Sequence, residues 1–405
     1  RRAVPQRLAD AVGRTGGRVV SLSRGRSQIL SLAKKLRALA ADVDLVVLHV
    51  DTRDIVPMLA FADMPNRPTI AYLDHADHHM WLGTNIADIL ISLRRSGLEL
   101  ACARRGIARE RCVLLPIPVT DIARSQTREE AKRALGIDPD TTLLLSVARG
   151  VKFRPVDGMT YADAHLPFLK SHPEAMLMVV GSGDRADWAP AQAEVQGRIV
   201  GLPETSRTAP YFEAADIYVD AFPFVSTTSL LEAGSYGLPL VSRFPFPDGS
   251  EILGADMPGL DATLQRTRSL SAYTAMLERL AADPAYRTRL GADTAAGIAA
   301  VHRGSGWRAA LEAIYARAAE IAPVTPEADR TDVPVFGGPD VFIPYIHGAG
   351  QDRDQLLCQL LGLMPLRRRA RHWLDLAIRR GLNFGGRRDL LKCWVPSWLV
   401  ARVRS

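Results

Sequence analysis

Residues 214–242 read AADIYVDAFPFVSTTSLLEAGSYGLPLVS. The apolar run that ends at Asp220 predicts a buried strand, and residues 228–236 predict a helix. Gly237 and Pro239 end this helix, because glycine favours the position just after a helix and proline cannot continue one. The apolar residues that follow predict a second strand. A strand, a helix and another strand in so short a stretch indicate one unit of a parallel α/β sheet.

Hydroxyl side chains open the predicted helix at Ser226, Thr227 and Thr228. Serine and threonine are favoured N-caps, and the free N–H groups of a helix that begins at a strand end bind anions such as phosphate. Glu232 follows Thr228 by one helical turn, so it lies on the same side of the helix and can accept a hydrogen bond from a sugar hydroxyl. The alternative is an ordinary strand–helix unit with a capped helix.

Short apolar runs alternate with helical segments along most of the chain, in two successive series. The strands predicted in the first series are Arg18–Leu22, Asp44–Val50, Thr69–Leu73, Ile89–Ser92 and Val113–Leu115. Those predicted in the second series are Thr142–Val147, Ala175–Val180, Arg198–Val200, Asp216–Asp220 and Leu238–Ser242. We therefore predict an α/β protein of two Rossmann-like parallel-sheet domains that face a cleft, since such sheets bind ligands at the carboxyl ends of their strands.

Turn-forming residues and composition divide the chain into four parts. The segment Gly136–Thr141 separates the two series of strands. The predicted parts are an N-terminal Rossmann-like domain over 1–138, a second α/β domain over 139–321, a Pro- and Gly-containing linker over 322–340, and a basic helical extension over 341–405. The first domain is expected to lack its first strand, because the chain opens directly on an amphipathic helix.

The formal net charge of +7 comes from the two ends of the chain. Residues 1–37 carry ten basic side chains and one acidic one, residues 366–405 carry eleven and two, and the remainder has a net charge of −11. Trp373, Trp394 and Trp398 lie among the C-terminal arginines, a composition typical of a helix at an anionic membrane surface. The alternative is a helical extension that packs back on the protein. Nucleic-acid binding is not expected, because no nucleic-acid-binding motif accompanies the charge.

Composition also excludes several classes of protein. A sequence that is 47% hydrophobic and 23% charged excludes global disorder and fibrous repeats. Four cysteines without a C-x-x-C spacing exclude a disulfide scaffold. Since no run of about 18 apolar residues occurs, no transmembrane helix is expected. We expect a cytoplasmic protein, and the basic tail adds the alternative of a peripheral position on the inner face of the membrane.

The segment 214–242 resembles the donor-binding signature of GT-B glycosyltransferases. It is similar to the group 1 retaining enzymes, whose pattern runs Glu, seven residues, Glu, and then Ala, a small residue and Gly-x-Pro. It also resembles the O-GlcNAc-transferase type, in which an Asp-x-Phe-Pro strand end precedes a Thr-Thr helix start. The resemblance implies that Glu232 contacts the nucleotide ribose. Phe224 stands where the first Glu, which contacts the donor sugar, is expected, so neither the donor sugar nor retention against inversion is implied.

Two loops that precede this segment resemble the same family. In LLLSVARGVKFRP, Arg149, Lys152 and Arg154 match the cations that the family places on the diphosphate, where fixed positive charge stabilises a leaving nucleoside diphosphate. The alternative is a solvated basic loop. In MVVGSGD, Gly181 matches the family's Val-Gly-x-Gly strand end, at which glycine allows close approach of the backbone.

Histidines and aspartates are most concentrated in LDHADHHMWLG, residues 73–83, directly after a predicted strand. His75, Asp77 and His78 are the candidate catalytic and acceptor-binding residues, because histidine can act as a base near neutral pH and both residue types bind sugar hydroxyls. One alternative is a structural loop. Another is a zinc site of His-x-x-His-His plus Asp, which lacks the helical H-E-x-x-H spacing.

Together with these patterns, the resemblance implies a glycosyltransferase that moves a sugar from a nucleotide-sugar donor to a glycan, lipid-linked or protein acceptor. The resemblance implies that no metal and no cofactor is bound, since positive side chains and a helix N-terminus replace the metal. Two alternatives remain. One is a sugar-nucleotide epimerase or hydrolase with the same donor site, and the other is a non-catalytic scaffold that docks to a membrane or a partner.

Overall fold

A computed structural model describes residues 4–22, 29–52, 54–79, 81–325 and 366–382, together with residues 354, 357, 358, 361, 364, 390 and 394. Within these residues, ten strands form two separate sheets, and every strand pairing is parallel. The predicted fold class, two α/β domains with parallel sheets, is therefore confirmed.

The first sheet contains four strands in chain order. Its strands are β1 (Leu45–Leu48), β2 (Thr69–Asp74), β3 (Ile89–Ser92) and β4 (Cys112–Leu114). The helices of this part of the chain are α1 (Gln6–Arg14), α2 (Ile29–Leu39), α3 (Val56–Phe61) and α4 (Arg95–Arg104). Ile70 and Leu90 pack against Phe61 of α3 in a buried cluster. The register sets Asp74 opposite Ser92 at the carboxyl end of the sheet, where α4 begins.

The second sheet contains six strands in the order β10-β9-β8-β5-β6-β7. Its strands are β5 (Thr142–Val147), β6 (Ala175–Val180), β7 (Ile199–Leu202), β8 (Ile217–Val219), β9 (Leu240–Arg243) and β10 (Gln265–Thr267). The helices between and after them are α5 (Arg128–Ala134), α6 (Leu166–Ser171), α7 (Ala189–Glu194), α8 (Ala209–Ala214), α9 (Thr227–Ser235), α10 (Leu270–Ala282) and α11 (Pro284–His302). The strand order reverses between β5 and β8, and ligands bind at such a switch point, outside the carboxyl ends of the strands.

Local side-chain caps start three of these helices. Thr127 accepts the N–H of Glu130, whose carboxylate accepts the N–H of Thr127 in return, so the start of α5 is a complete capping box. Ser269 caps α10 by accepting the N–H of Ala272. Asp283 caps α11, and proline occupies the first position of that helix, where its missing N–H costs nothing.

Two strands differ between the sequence-based prediction and the structure. The predicted strand Arg18–Leu22 is wrong: no strand of the described residues pairs with this segment, and the Val19 and Val20 side chains are each 47% exposed. β10 was not predicted, since its sequence Gln-Arg-Thr is short and polar and forms a strand only beside β9.

Helix α12 (Gly304–Glu320) returns from the second domain to the first. Ile314 is buried among residues of the first sheet, and the Thr69 hydroxyl at the start of β2 donates to the Ala318 carbonyl at 3.2 Å. The Trp307 indole N–H donates to the Pro116 carbonyl at 2.7 Å. The segment 139–321, predicted as the second domain, thus ends in a helix that packs on the first sheet.

The basic extension contains helix α13 (Leu366–Arg380). The linker residues 326–340 and most of the remaining extension lie outside the described residues. None of the helices in the described part of the chain is both long enough and apolar enough to cross a bilayer.

Candidate functional site

The loop that joins β8 to α9 is held by a buried carboxylate. Asp220 follows the end of β8, and its Oδ1 accepts the N–H groups of Ala221 at 2.8 Å and Ser226 at 2.9 Å. Burial raises the pKa of Asp220 to about 6, although these hydrogen bonds oppose the shift. The loop therefore delivers Ser226 to the N-cap of α9 in one defined conformation.

The first turn of α9 has the form of an anion site. Ser226 is the N-cap, yet its hydroxyl donates to the Ser229 hydroxyl at 3.0 Å and caps no N–H group of the helix. Thr227 is half-buried and Thr228 is exposed. The N–H groups and hydroxyls of this turn are thus placed to bind a phosphate at the carboxyl end of β8.

Glu232 lies one turn further along α9 and is half-buried. Its Oε1 accepts a hydrogen bond from the Thr208 hydroxyl at 3.1 Å, and burial raises its pKa. The predicted ribose contact and the predicted phosphate site therefore lie on the same helix, with the carboxylate oriented by a neighbouring hydroxyl.

Lys152 reaches this loop from the end of β5. Its Nζ donates to the Val225 carbonyl at 3.0 Å and lies 4.6 Å from the centre of the Phe224 ring. Burial lowers the pKa of Lys152, as do the charges of Arg149 and Arg94, whereas Asp220 opposes the shift. The structure thus brings Lys152 to the α9 loop.

Arg149 and Arg154, the other two predicted phosphate cations, are exposed. The charge of Arg149 contributes to the lowered pKa of Lys152.

Gly181 lies where the loops after β5 and β6 meet. Its φ is +94°, and a Cβ atom built on it would lie 2.4 Å from the Ala148 carbonyl oxygen. Close approach of two protein loops thus requires glycine here. The function predicted for Gly181, close approach to a ligand, stays a prediction.

Asp77 is bound on both oxygens by Arg94. The Arg94 Nε donates to Oδ2 at 2.6 Å and its Nη2 donates to Oδ1 at 2.9 Å, and both side chains are buried. Although burial alone would raise it, the Arg94 charge and hydrogen bonds hold the pKa of Asp77 well below its usual range. Asp77 is therefore an ionised anchor for the start of α4, and this geometry disfavours it as a base.

The two predicted histidines lie in different environments. The His78 ring packs edge-on against Phe224 of the second domain, with 5.0 Å between ring centres. His75 is exposed and packs against the ring of His49, at 4.7 Å. His78, Phe224 and Lys152 therefore form one cluster across the domain interface.

Three residues near this cluster were not among the predicted catalytic or donor-binding residues. His49 directly follows β1, and burial together with His75 lowers its pKa. Asp74 ends β2 and is buried, and burial followed by the Asp77 charge raises its pKa. The sequence could have indicated His49 and Asp74 as site residues, because each lies at the end of a strand beside the cleft. Asp256 offers no such signal, since its partners are distant in sequence.

Asp256 joins the second domain to the start of α4. It accepts the Ser96 backbone N–H at 2.6 Å and the Ser96 hydroxyl at 2.5 Å, and Arg94 Nη1 lies 3.6 Å from its Oδ1. Burial raises the pKa of Asp256. A pocket of about 760 Å³ adjoins this contact, between α4 and residues 248–266. Its lining is mainly apolar and includes no residue of α9.

The zinc alternative finds no support in the described residues, where no group of three or more His, Cys, Asp or Glu side chains is arranged to hold a metal ion.

Solved structures resemble this chain in fold. A glycosyltransferase from Rickettsia africae aligns with a TM-score of 0.59 at 10% identity, over 78% of this chain and 88% of that one. Anabaena HepE, solved with UDP and glucose, aligns with a TM-score of 0.55 at 12% identity, over 77% and 89%. Sucrose-phosphate synthase from Thermosynechococcus elongatus aligns with a TM-score of 0.51 at 14% identity, over 74% and 80%. No protein-family model and no curated protein sequence matches. The chain has the GT-B fold, as its motifs predict.

Proposed function

We propose that the protein is a glycosyltransferase that uses a nucleotide-sugar donor. The observation that carries the proposal is the convergence of the α9 N-terminus, Lys152 and Glu232 at the switch point of a GT-B fold. A nucleoside diphosphate requires such N–H donors and a cation for its phosphates, and a carboxylate suits its ribose hydroxyls. Because HepE binds UDP and glucose, a uridine diphosphate sugar is the first donor to test.

In the proposed reaction, an acceptor hydroxyl oxygen forms a bond to the sugar C1 while the bond from C1 to the diphosphate oxygen breaks. The acceptor proton passes to a base, for which His75 and His78 are the candidates, since Asp77 is held by Arg94. Lys152 and the α9 N-terminus neutralise the charge that develops on the leaving diphosphate. We propose that no bound metal is needed, since these groups supply the positive charge.

We further propose that a glycan, lipid-linked or protein acceptor enters beside α4. The pocket there combines apolar and charged side chains from both domains, a lining that suits an acceptor with an apolar portion. We also propose a cytoplasmic location, with a peripheral position at the inner face of the membrane.

Nucleotide binding tests the donor site. We expect UDP, or another nucleoside diphosphate, to raise the unfolding temperature, and Lys152→Ala and Glu232→Ala to weaken this effect strongly. Lys170→Ala is the matched control, because Lys170 is an exposed lysine of the same domain whose partner is Glu194. The proposal fails if no uridine, guanosine, adenosine or thymidine diphosphate or its sugar shifts the transition, or if the control weakens the shift equally.

A non-catalytic scaffold is the second candidate, and Phe224 favours it. Where the family's sugar-contacting carboxylate is expected, this chain places a ring between His78 and Lys152. Labelled nucleotide sugars separate the candidates. Sugar transfer to added acceptors supports the transferase, whereas release or epimerisation without acceptor indicates a hydrolase or epimerase. Binding without any turnover indicates the scaffold.

A further inference from the structure

We propose that α13 binds the surface of an anionic lipid bilayer through a row of exposed apolar side chains with arginines beside them. The row consists of Leu366, Ala370, Leu374 and Ile378, spaced four residues apart. This inference concerns a second surface and is independent of the proposed glycosyl transfer.

One face of α13 is already covered by protein. Leu376 is fully buried in a small cluster with Cys358, Leu361 and Leu390. The indole N–H of Trp373, which packs against the same cluster, donates to the Leu390 carbonyl at 2.8 Å. The inner face of the helix therefore packs against other residues of the chain through its own apolar side chains.

The apolar row lies on the opposite face. Leu374 and Leu376 are two residues apart, which places them on nearly opposite sides of a helix. Leu366 is 69% exposed, Leu374 55% and Ile378 75%. Such a contiguous apolar strip on the surface of a helix marks an interaction site.

The positive charge of the neighbouring arginines indicates which kind of partner the apolar row binds. Arg367 and Arg371 are exposed and project from the same face as Leu374, since they lie seven and three residues before it. Arg379 and Arg380 pair with Asp354, which leaves the first turns of the helix as its most positive part. Long arginine side chains keep their charge at the level of the lipid phosphates, while leucines enter the outer part of the acyl-chain layer. The combination therefore fits a surface of anionic lipid.

Trp394 lies beside the packed inner face of α13 and not on the apolar row. Its ring packs edge-on against Trp373, with 5.8 Å between centres, and 38% of the residue is exposed.

Co-sedimentation of the full chain with vesicles tests the proposal. We expect binding to vesicles of phosphatidylcholine with phosphatidylglycerol, and much weaker binding to phosphatidylcholine alone, because each arginine near an anionic surface adds to the attraction. The double variant Leu374→Glu with Ile378→Glu should bind at least about tenfold more weakly, since it replaces buried apolar contacts with repelled charges. Arg367→Ser with Arg371→Ser should weaken binding to the anionic vesicles only.

The matched control replaces exposed apolar residues on other helices, Leu30→Glu on α2 and Tyr315→Glu on α12, which are 59% and 52% exposed. It adds the same charge and should leave binding unchanged. Circular dichroism verifies that each variant is folded. Equal binding to neutral vesicles, or equal loss in the control, overturns the proposal. So does self-association without vesicles that the α13 double variant abolishes, because a second copy then occupies the row.

Discussion

Replacement of Gly181 by alanine tests whether the loops after β5 and β6 meet as closely as the structure shows. The added Cβ would lie 2.4 Å from the Ala148 carbonyl oxygen, and the backbone φ of +94° disfavours any side chain. Gly183 provides the matched control two residues later. Its φ is +63°, and a Cβ there would meet nothing within 4 Å.

The two substitutions should differ severalfold in cost. Strained backbone costs about 1–3 kcal/mol and an overpacked contact about as much again, so Gly181→Ala should lower the free energy of unfolding by about 4 kcal/mol. Gly183→Ala meets only the left-handed backbone penalty, about 1 kcal/mol. For a protein with domains of this size, these losses correspond to decreases of about 8–16 °C and about 2–4 °C in the unfolding temperature.

Urea unfolding followed by circular dichroism, together with thermal melts, measures both variants. Nucleotide binding, measured in parallel, distinguishes a packing function of Gly181 from a ligand-contacting one. Equal destabilisation by the two substitutions would refute the argument from the Ala148 contact. A stable Gly181→Ala protein that has lost only nucleotide binding would refute it as well, and would favour direct contact with the ligand.

Three further predictions concern buried and capping groups. Arg94→Ala should cost about 3–5 kcal/mol in urea unfolding because it leaves Asp77 buried without its cation, and adding Asp77→Ala should recover part of that loss. Burial lowers the pKa of His165 to about 4, so the folded protein binds fewer protons than the unfolded chain. Stability should thus fall as the pH decreases from 6.5 towards 4, and His165→Gln should flatten that dependence. Thr127→Ala removes the α5 capping box and should cost about 1 kcal/mol in the same assay.

Local sequence patterns predicted those strands and helices whose formation depends mainly on adjacent residues. The strand before Asp220 and the helix after Ser226 are confirmed, because an apolar run and a polar helix start are encoded in adjacent residues. The contact of Asp256 with Ser96 spans 160 residues and depends on how the two domains meet, so no spacing rule reveals it. The bidentate bond of Asp77 to Arg94 is likewise tertiary, and it changes the interpretation of Asp77 from base to anchor.

Arg94 and Lys152, two cations near the domain interface, differ in how readily each can bind a ligand phosphate. Arg94 is committed to the buried Asp77, and a phosphate that removed it would leave that carboxylate uncompensated, which is strongly unfavourable. Lys152 has only neutral partners among its observed hydrogen-bond and ring contacts, a carbonyl and the Phe224 ring. Exchanging these for phosphate oxygens strengthens its interactions. Because Phe224 also packs against His78 of the first domain, movement of Lys152 disturbs a contact between the domains. We therefore expect donor binding and the domain interface to be coupled through Phe224.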